Sequence, residues 1–284
     1  MTTRTVAVTM VRDEADVIAA TVGHMLSQVD AVVVADNGSI DGTREILAGM
    51  ARQLGADRLD VVDDPEPAYF QSEKMTALAR RARLNHHAEW VVPFDADEVW
   101  YSPFGRIGDQ LGDLAPQWLV VPARLFDHVA TAQDPRPEVE PNPVRRLGWR
   151  RADPAPLPKV ACRWRQDLRI EQGNHSATYT GGATMFDPLL VVRHFPYRSV
   201  DQLVRKVRNG AAAYAAAGDR LPESMGAHWR QWGRLLDDHG PEAIAELFHH
   251  WYYREDPAAE LRTSDTELQP PLLWDPAPLV ELHP

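Results

Sequence analysis

Short apolar runs and helical segments alternate through the first hundred residues, and this alternation limits the chain to few folds. Apolar, β-rich runs occupy residues 5–10, 31–35, 59–63 and 90–94. Helical spacing of apolar side chains predicts helices over residues 14–28, 41–55 and 72–88. Strands that alternate with helices over short connections form right-handed βαβ units around a parallel sheet. We therefore expect an α/β fold whose strands, continuously apolar as in AVVVA, are covered on both faces.

The rest of the chain has a different order of elements. Further strands are predicted over residues 118–126, 159–164 and 189–195, and helices over residues 199–218, 224–240 and 241–253. Residues 130–158 are rich in proline and charge, which excludes a long helix or an internal strand and predicts a loop. The tail from Glu255 is expected to lie extended on the surface. These patterns predict three parts, at residues 1–126, 127–198 and 199–284.

The composition narrows the classes of function. Of the 284 residues, 44% are hydrophobic, enough for a sizeable core, and the formal net charge is −11. This acidic balance argues against binding to nucleic acid or to anionic membranes. With Cys162 as the single cysteine, an intramolecular disulfide and a cysteine-based zinc site are excluded. The sequence shows neither a signal-peptide pattern nor an apolar run of about 20 residues that a membrane helix needs, so a cytoplasmic location is expected.

Acidic residues follow two of the predicted strands. Asp36 closes the second strand, and Asp95 and Asp97 follow the fourth in the segment VVPFDADEVW. In open α/β sheets, ligands bind beyond the carboxyl ends of the strands. The segments expected to meet at that edge are residues 11–14, 36–38 and 95–98.

The spacing of Asp95 and Asp97 allows both carboxylates to point at one ligand. Hard oxygen ligands of this kind suit Mg²⁺ or Mn²⁺ bridging two phosphates. A solvated acidic turn is the alternative that the same spacing allows. Asp36 would lose solvation in a cleft unless it found a partner, and a nucleotide base or ribose would supply hydrogen-bond donors.

Two segments of the chain resemble the nucleotide-binding half of the family-2 glycosyltransferases: VRDEADVIAATVGHMLSQVDAVVVADNGSIDGTREIL and, further on, WVVPFDADEVW. The resemblance implies a GT-A fold, which is a Rossmann-like, mixed, mainly parallel sheet with flanking helices, extended here by C-terminal helices. It also implies a nucleoside-diphosphate sugar as donor, a sugar or other hydroxyl compound as acceptor, and Mn²⁺ or Mg²⁺ as cofactor. Residues 1–126 would then form the donor-binding half, and residues 127–198 the acceptor side.

The resemblance further assigns candidate binding residues. Asp95 and Asp97 would bind the metal and the ribose–diphosphate, and Asp36 would contact the nucleotide. The exit of the first strand would lie along the base and adds Thr9, Val11, Arg12 and Glu14 to the donor site. A histidine at the end of a late strand would complete the metal shell; His194 is preferred and His175 is the second choice.

The resemblance implies an inverting reaction, which needs a carboxylate to take the proton of the acceptor hydroxyl. Glu171, after the short predicted strand DLRI, is the preferred base. The other candidates are Asp127, Asp167 and Asp187. A basic cluster could clamp the diphosphate, and it consists of Arg193, Arg198, Arg205 and Lys206.

Other functions fit parts of the same pattern. In a haloacid-dehalogenase-like phosphatase, Asp95 would be the nucleophile and Asp97 the acid/base, although that motif usually follows a first strand. A non-catalytic module that binds a sugar or Ca²⁺ would need no nucleotide pocket. A sugar nucleotidyltransferase would need a glycine-rich phosphate loop after the first strand, and TMVRDEA contains no glycine.

Overall fold

The structure, a computed structural model, describes residues 3–263 of the chain. The strands are β1 (Thr5–Val11), β2 (Ala31–Asp36), β3 (Leu59–Asp63), β4 (Trp90–Pro93), β5 (Glu98–Tyr101), β6 (Val120–Asp127), β7 (Ala130–Thr131), β8 (Trp149–Arg151), β9 (Lys159–Arg163), β10 (Arg169–Ile170), β11 (Ala177–Thr178), β12 (Leu190–His194), β13 (Tyr253–Arg254) and β14 (Leu261–Thr263). The α-helices are α1 (Ile18–Gln28), α2 (Thr43–Leu54), α3 (Gln71–His86), α4 (Ile107–Gly112), α5 (Pro143–Arg146), α6 (Val200–Ala217) and α7 (Ala227–Trp251). Within residues 3–263, no helix combines the length and apolar character that crossing a membrane requires.

A mixed sheet forms the centre of the described part, in the strand order β3-β2-β1-β4-β9-β6-β12-β5. Neighbours from β3 to β4 run parallel. Strand β9 is antiparallel to β4 and β6, β12 is parallel to β6, and β5 is antiparallel to β12. This mainly parallel sheet with flanking helices confirms the predicted α/β class. Strands from both sides of residue 127 share the sheet, and the three-part division stays a prediction.

Both faces of the parallel strands are buried, as their continuous apolar runs predict. Val6 and Val8 of β1 pack in the cluster that contains Met75 of α3. Ala7 belongs to the cluster on the opposite face, together with Val22 of α1. Because side chains alternate between the faces, helices on both sides hold each strand and fix where the loop at its carboxyl end begins.

The proline-rich segment at residues 130–158 contains only short elements, as predicted. These are β7, β8 and the four-residue helix α5. Strand β14 pairs antiparallel with β8 and so ties the start of the predicted tail to this segment. The remaining tail, residues 264–284, lies outside the described residues.

Helices α6 and α7 form a hairpin that packs in one apolar cluster with Val17 and Ala20 at the start of α1. The helix predicted over residues 199–218 is confirmed as α6, and the hydroxyl of Ser199 caps it by accepting from the amide of Gln202. The helices predicted over residues 224–240 and 241–253 form one element, α7, with a break at Gly240, where φ is 78°. Pro241 follows the break, where a missing amide hydrogen removes no helical hydrogen bond.

The hairpin depends on Gly210, and replacing it by alanine is expected to lower the free energy of unfolding by about 1–3 kcal/mol. A methyl group on Gly210 would lie 2.8 Å from Cδ2 of Trp229 in α7, which forces the indole to move. Chemical denaturation would measure the change. Gly108→Ala in α4 is the matched control, because its nearest neighbour would be 3.4 Å away. Equal stability changes in the two variants would contradict the packing role of Gly210.

Candidate functional site

The carboxyl ends of β1, β2 and β4 meet beside the α6–α7 hairpin around two adjoining cavities. The central cavity has a volume of about 420 Å³, and the side cavity has a volume of about 160 Å³. Lining residues that the two cavities share include Val11, Arg12, Glu14, Tyr69, Asp95, Lys206 and Trp229. The central cavity adds Asp97, Asp127, His175 and His194, whereas the side cavity adds Asn37, Asn209 and Tyr214. The predicted strand ends therefore come together.

Three side chains hold the carboxylate of Asp95. Lys159 Nζ donates to Oδ2 at 2.6 Å, and Asn174 Nδ2 and Gln71 Nε2 donate to Oδ1 at 3.0 and 3.3 Å. Lys159 also lies 2.8 Å from the buried carboxylate of Glu98. Burial lowers the pKa of Lys159, but the two carboxylates raise it above its usual value, so the ammonium stays charged. Asp95 is thus fixed in position and paired with a cation by the protein itself.

Asp97 is surrounded by cationic side chains. Lys206 Nζ lies 2.5 Å from Oδ2, Arg198 Nη1 lies 3.8 Å from the same oxygen, and His194 Nε2 lies 3.6 Å from Oδ1. Burial raises the pKa of Asp97, but Lys206 and His194 outweigh burial and hold it well below its usual value. The residue is only 3% exposed, so its charge is stabilised by these neighbours and not by water.

The sheet register places His194 beside acidic residues of two neighbouring strands. The pairing of β12 with β6 sets His194 next to Asp127, and the pairing with β5 sets it next to Glu98. His194 Nδ1 lies 2.7 Å from Asp127 Oδ1, which directs Nε2 toward Asp97. Burial lowers the pKa of His194, but Asp97 and Asp127 together raise it to about 10. A carboxylate behind the imidazole is the arrangement that orients metal-binding histidines.

Asp97 and His194 are the candidate metal ligands. Their facing atoms are 3.6 Å apart; a carboxylate suits Mg²⁺ or Mn²⁺, and an imidazole is a common ligand of metal ions. In the described part of the chain, no group of three or more His, Cys, Asp or Glu side chains is arranged to hold a metal. The donor atoms of Asp97 and His194 would fit a divalent ion that takes further ligands from phosphate or water.

The exit of β1 reaches both cavities through most of the predicted residues. Val11, Arg12 and Glu14 line both, whereas Thr9 is fully buried inside β1 and does not line either. The carboxylate of Glu14 accepts a hydrogen bond from the guanidinium of Arg198. Burial raises the pKa of Glu14 although Arg198 acts in the opposite direction.

The end of β2 presents Asn37, and not Asp36, to the side cavity. Asp36 is 1% exposed, and its carboxylate accepts from Arg44 Nε at 2.9 Å. Asn37 Nδ2 donates to the carboxylate of Asp64 at 2.9 Å and to the backbone oxygen of Glu66 at 2.7 Å. These bonds leave Oδ1 of Asn37 to accept from a ligand. Asn37 is therefore better placed than Asp36 for the predicted nucleotide contact.

The candidate bases lie in different surroundings. Asp127 lines the central cavity with a side chain that is 33% exposed. Glu171 lines neither cavity, and its carboxylate accepts from the hydroxyl of Thr178 at 2.9 Å. Asp167 pairs with Arg165, and Asp187 is exposed. His175 lines the central cavity but is 2.9 Å from the backbone oxygen of Pro158 through Nδ1.

Sequence reasoning missed the polar residues that support Asp95, namely Lys159, Asn174 and Gln71. Lys159 opens the strand KVACRW, and a lysine at the head of a buried strand is a signal that could have been noticed. Asn174 takes the uncommon left-handed backbone conformation, with φ 58°, and the sequence GNH contains no sign that the side chain reaches Asp95. The four residues of the predicted basic cluster lie in different surroundings. Lys206 lines both cavities, whereas Arg198 and Arg193 are buried and Arg205 lines neither cavity.

The chain is similar to one family over more than half of its length. Residues 6–152 match the family model described as glycosyl transferase family 2. No curated protein is significantly similar to the chain in sequence.

Two solved structures are similar to the chain at low identity. One is the mannosyltransferase PcManGT from Pyrobaculum calidifontis in complex with GDP-Man and Mn²⁺, with 17% identity, coverage of 86% of this chain and 73% of that chain, and a TM-score of 0.42. The other is GalNAc-T7 with UDP, GalNAc and Mn²⁺, with 13% identity, coverage of 88% of this chain and 58% of that chain, and a TM-score of 0.42.

Proposed function

Because this chain belongs to glycosyl transferase family 2 and is a glycosyltransferase, we propose that it uses a divalent cation to move a sugar from a nucleoside-diphosphate sugar to a hydroxyl acceptor, with inversion at the anomeric carbon. The observation that carries this proposal is the series of contacts from Asp97 through His194 to Asp127 on one wall of the central cavity. The Asp97 end of the series suits a metal-bound diphosphate, and the Asp127 end suits an acceptor hydroxyl.

The side cavity suits the nucleoside. Tyr69 and Tyr214 line it with ring centroids 4.9 Å apart, and flat aromatic surfaces of this kind pack well against a base. Asn37 supplies a hydrogen-bond acceptor at the same place. Asp95 and Lys206 line both cavities, so the diphosphate would lie between the base and the sugar.

The divalent ion would be held by Asp97 and His194. When bound, Mn²⁺ or Mg²⁺ neutralises charge that develops on the leaving diphosphate. Asp127 accepts a hydrogen bond from His194 and thereby keeps the imidazole turned toward Asp97. Lys159 and Asn174 fix Asp95 so that its carboxylate meets the donor without rearrangement.

Asp127 is the proposed base. Burial raises its pKa, but the hydrogen bond from His194, the charge of His194 and the charge of Arg151 together hold the pKa below its usual value, so Asp127 is ionised at neutral pH. An ionised carboxylate at the cavity wall can take the proton of a hydroxyl that attacks the anomeric carbon. Glu171 does not line the cavity and is less well placed.

The alternative functions fit the structure less well. The D-x-D turn follows β4, in the middle of the sheet and not at the first strand, which disfavours the haloacid-dehalogenase-like phosphatase. Lys159 also occupies the carboxylate of Asp95, which that reaction needs as a nucleophile. Family membership disfavours a non-catalytic binding module.

We expect nucleoside diphosphates to raise the melting temperature of the protein in the presence of Mn²⁺. A ligand present at a hundred times its Kd stabilises the folded state by about 2.7 kcal/mol, which corresponds to a shift of several degrees. Thermal-shift measurements with UDP, GDP, ADP, CDP and dTDP, with Mn²⁺ or with EDTA, would identify the nucleobase of the donor. The corresponding nucleosides without phosphate serve as controls.

A protein that responds to none of these nucleotides would not fit the proposed donor class. Stabilisation by free sugars alone would point to the binding module. Equal shifts in Mn²⁺ and in EDTA would remove the metal from the proposal but keep the nucleotide.

A further inference from the structure

Two lysines contact the D-x-D carboxylates, and they differ in how firmly they are held. Lys159 Nζ has three acceptors within 2.8 Å, on Asp95, Glu98 and Gly173, and its side chain is 4% exposed. Lys206 Nζ contacts Asp97 at 2.5 Å and the backbone oxygen of Pro196 at 3.1 Å; its side chain is 24% exposed and lines both cavities. Lys206 therefore has the freedom to exchange partners, and Lys159 does not.

Lys206 and a divalent ion would compete for Asp97. The ammonium group lies on Oδ2 of Asp97, and the candidate metal position lies on the same carboxylate, toward His194. Two cations on one buried carboxylate repel each other strongly, because water does little to screen them there. Metal binding would thus weaken the hold of Asp97 on Lys206.

Resting on the function proposed above, we propose that Lys206 is an exchangeable cation of the donor site. Its ammonium group pairs with Asp97 while the site lacks a divalent ion, and it pairs with the diphosphate of the donor once the ion has taken Asp97. The diphosphate would then be bound by two cations, the divalent ion on one side and a lysine of α6 on the other. A lysine ammonium on a flexible stem is suited to such a change of partner.

Arg198, the other strong cation near Asp97, cannot change partners in this way. Its Nε and Nη2 atoms donate to Asp16 at 2.7 and 2.8 Å, and Nη2 also donates to Glu14. Its side chain is fully buried, and its Nη1 donates to the backbone oxygen of Phe195 at 3.0 Å. Arg198 is a fixed part of the wall, so of these two cations near Asp97 it is Lys206 that faces the cavities. Lys206 also lies outside residues 6–152, so it belongs to a part of the chain that the family model does not cover.

Lys206→Met removes the ammonium group and so tests its contact with Asp97 and its contact with the diphosphate by two different measurements. With the competing cation removed, the affinity for Mn²⁺ in the absence of nucleotide is expected to rise several-fold. With the phosphate contact removed, the affinity for the nucleoside diphosphate in saturating Mn²⁺ is expected to fall by about 10- to 100-fold. Isothermal titration of Mn²⁺ alone, and then of the nucleotide that stabilises the wild type most, measures both quantities.

Opposite shifts of the two affinities would support the inference, since damage to the fold lowers both. An Mn²⁺ affinity that is unchanged or lower would overturn it, and so would an unchanged nucleotide affinity. Arg208→Met, which removes an exposed charge from the same helix, is the matched control and should change neither affinity. If Lys206→Met does not fold, Lys206→Gln is measured against the same criteria. Wild-type protein that binds Mn²⁺ but no nucleotide would count against the proposed function, whereas an unchanged nucleotide affinity in Lys206→Met would count against the role of Lys206 alone.

Discussion

Replacing Asp97 by asparagine is expected to lower kcat about a thousandfold, because the protein loses the carboxylate that would hold the divalent ion. Transfer of labelled sugar at saturating donor and Mn²⁺ would measure the loss. The direct test of the cause is Mn²⁺ affinity, which should fall together with kcat. A rate within tenfold of the wild type would exclude Asp97 from the metal site.

The same substitution is also expected to lower stability, which the sequence did not suggest. The solvated acidic turn that the sequence allows would leave Asp97 facing water. Asp97 is in fact buried among Lys206, Arg198 and His194. Removing one partner of a buried ionic group costs about 3–5 kcal/mol, so the melting temperature must be measured and activity assayed well below it. Asp63→Asn, at the exposed end of β3, is the matched control for a lost strand-end carboxylate.

Replacing Asp127 by asparagine is expected to lower kcat by about 100- to 10,000-fold while the KM for the donor changes little, since a general base acts on the acceptor and not on the nucleotide. The hydrogen bond to His194 gives Asp127 a second effect, which is to orient a metal ligand. Losing such a partner typically weakens metal binding by about 10- to 100-fold. The assay must therefore be run at saturating Mn²⁺.

Saturating Mn²⁺ separates the two roles of Asp127. Full recovery of kcat under that condition would show that Asp127 only positions His194, and the base would have to be sought elsewhere. Glu171→Gln gives the comparison, because Glu171 lies outside both cavities and pairs with Thr178 and Arg169. A larger loss of kcat in Glu171→Gln than in Asp127→Asn would return the base to the residue that the sequence favoured.

The first half of the fold was predictable because each parallel strand is buried on both faces. A strand of this kind must be apolar throughout, which makes it visible in the sequence. The strand predicted over residues 31–35 is β2 (Ala31–Asp36), and the helix predicted over residues 41–55 is α2 (Thr43–Leu54). The rule that ligands bind beyond the carboxyl ends of strands then located Asp95 and Asp97, and the family resemblance added His194; the three residues line one cavity.

The partners of those residues were not predictable, because they depend on strand order. Lys159 reaches Asp95 across 64 positions of the chain only because β9 inserts between β4 and β6. The sequence favours Glu171 as the base because it follows the short strand predicted over DLRI. That strand, β10, pairs with β11 in a two-stranded ribbon apart from the central sheet. Asp127 and His194 become neighbours through the register of β6 and β12, which no local pattern encodes.

The bond between Arg198 and Glu14 spans 184 positions and joins the start of the C-terminal hairpin to the exit of the first strand. A shortened chain that ended before residue 199 would keep Glu14, Asp16 and Asp97 but would lack Lys206. Under the proposed function, the region that the family model covers, residues 6–152, would not be a complete catalytic unit, because His194 and Lys206 lie outside it. Under the proposal for Lys206, exchanging the hairpin with that of a relative would change the contact with the diphosphate as well as the packing. Chimaeras should therefore keep residues 199–251 together with their own N-terminal half.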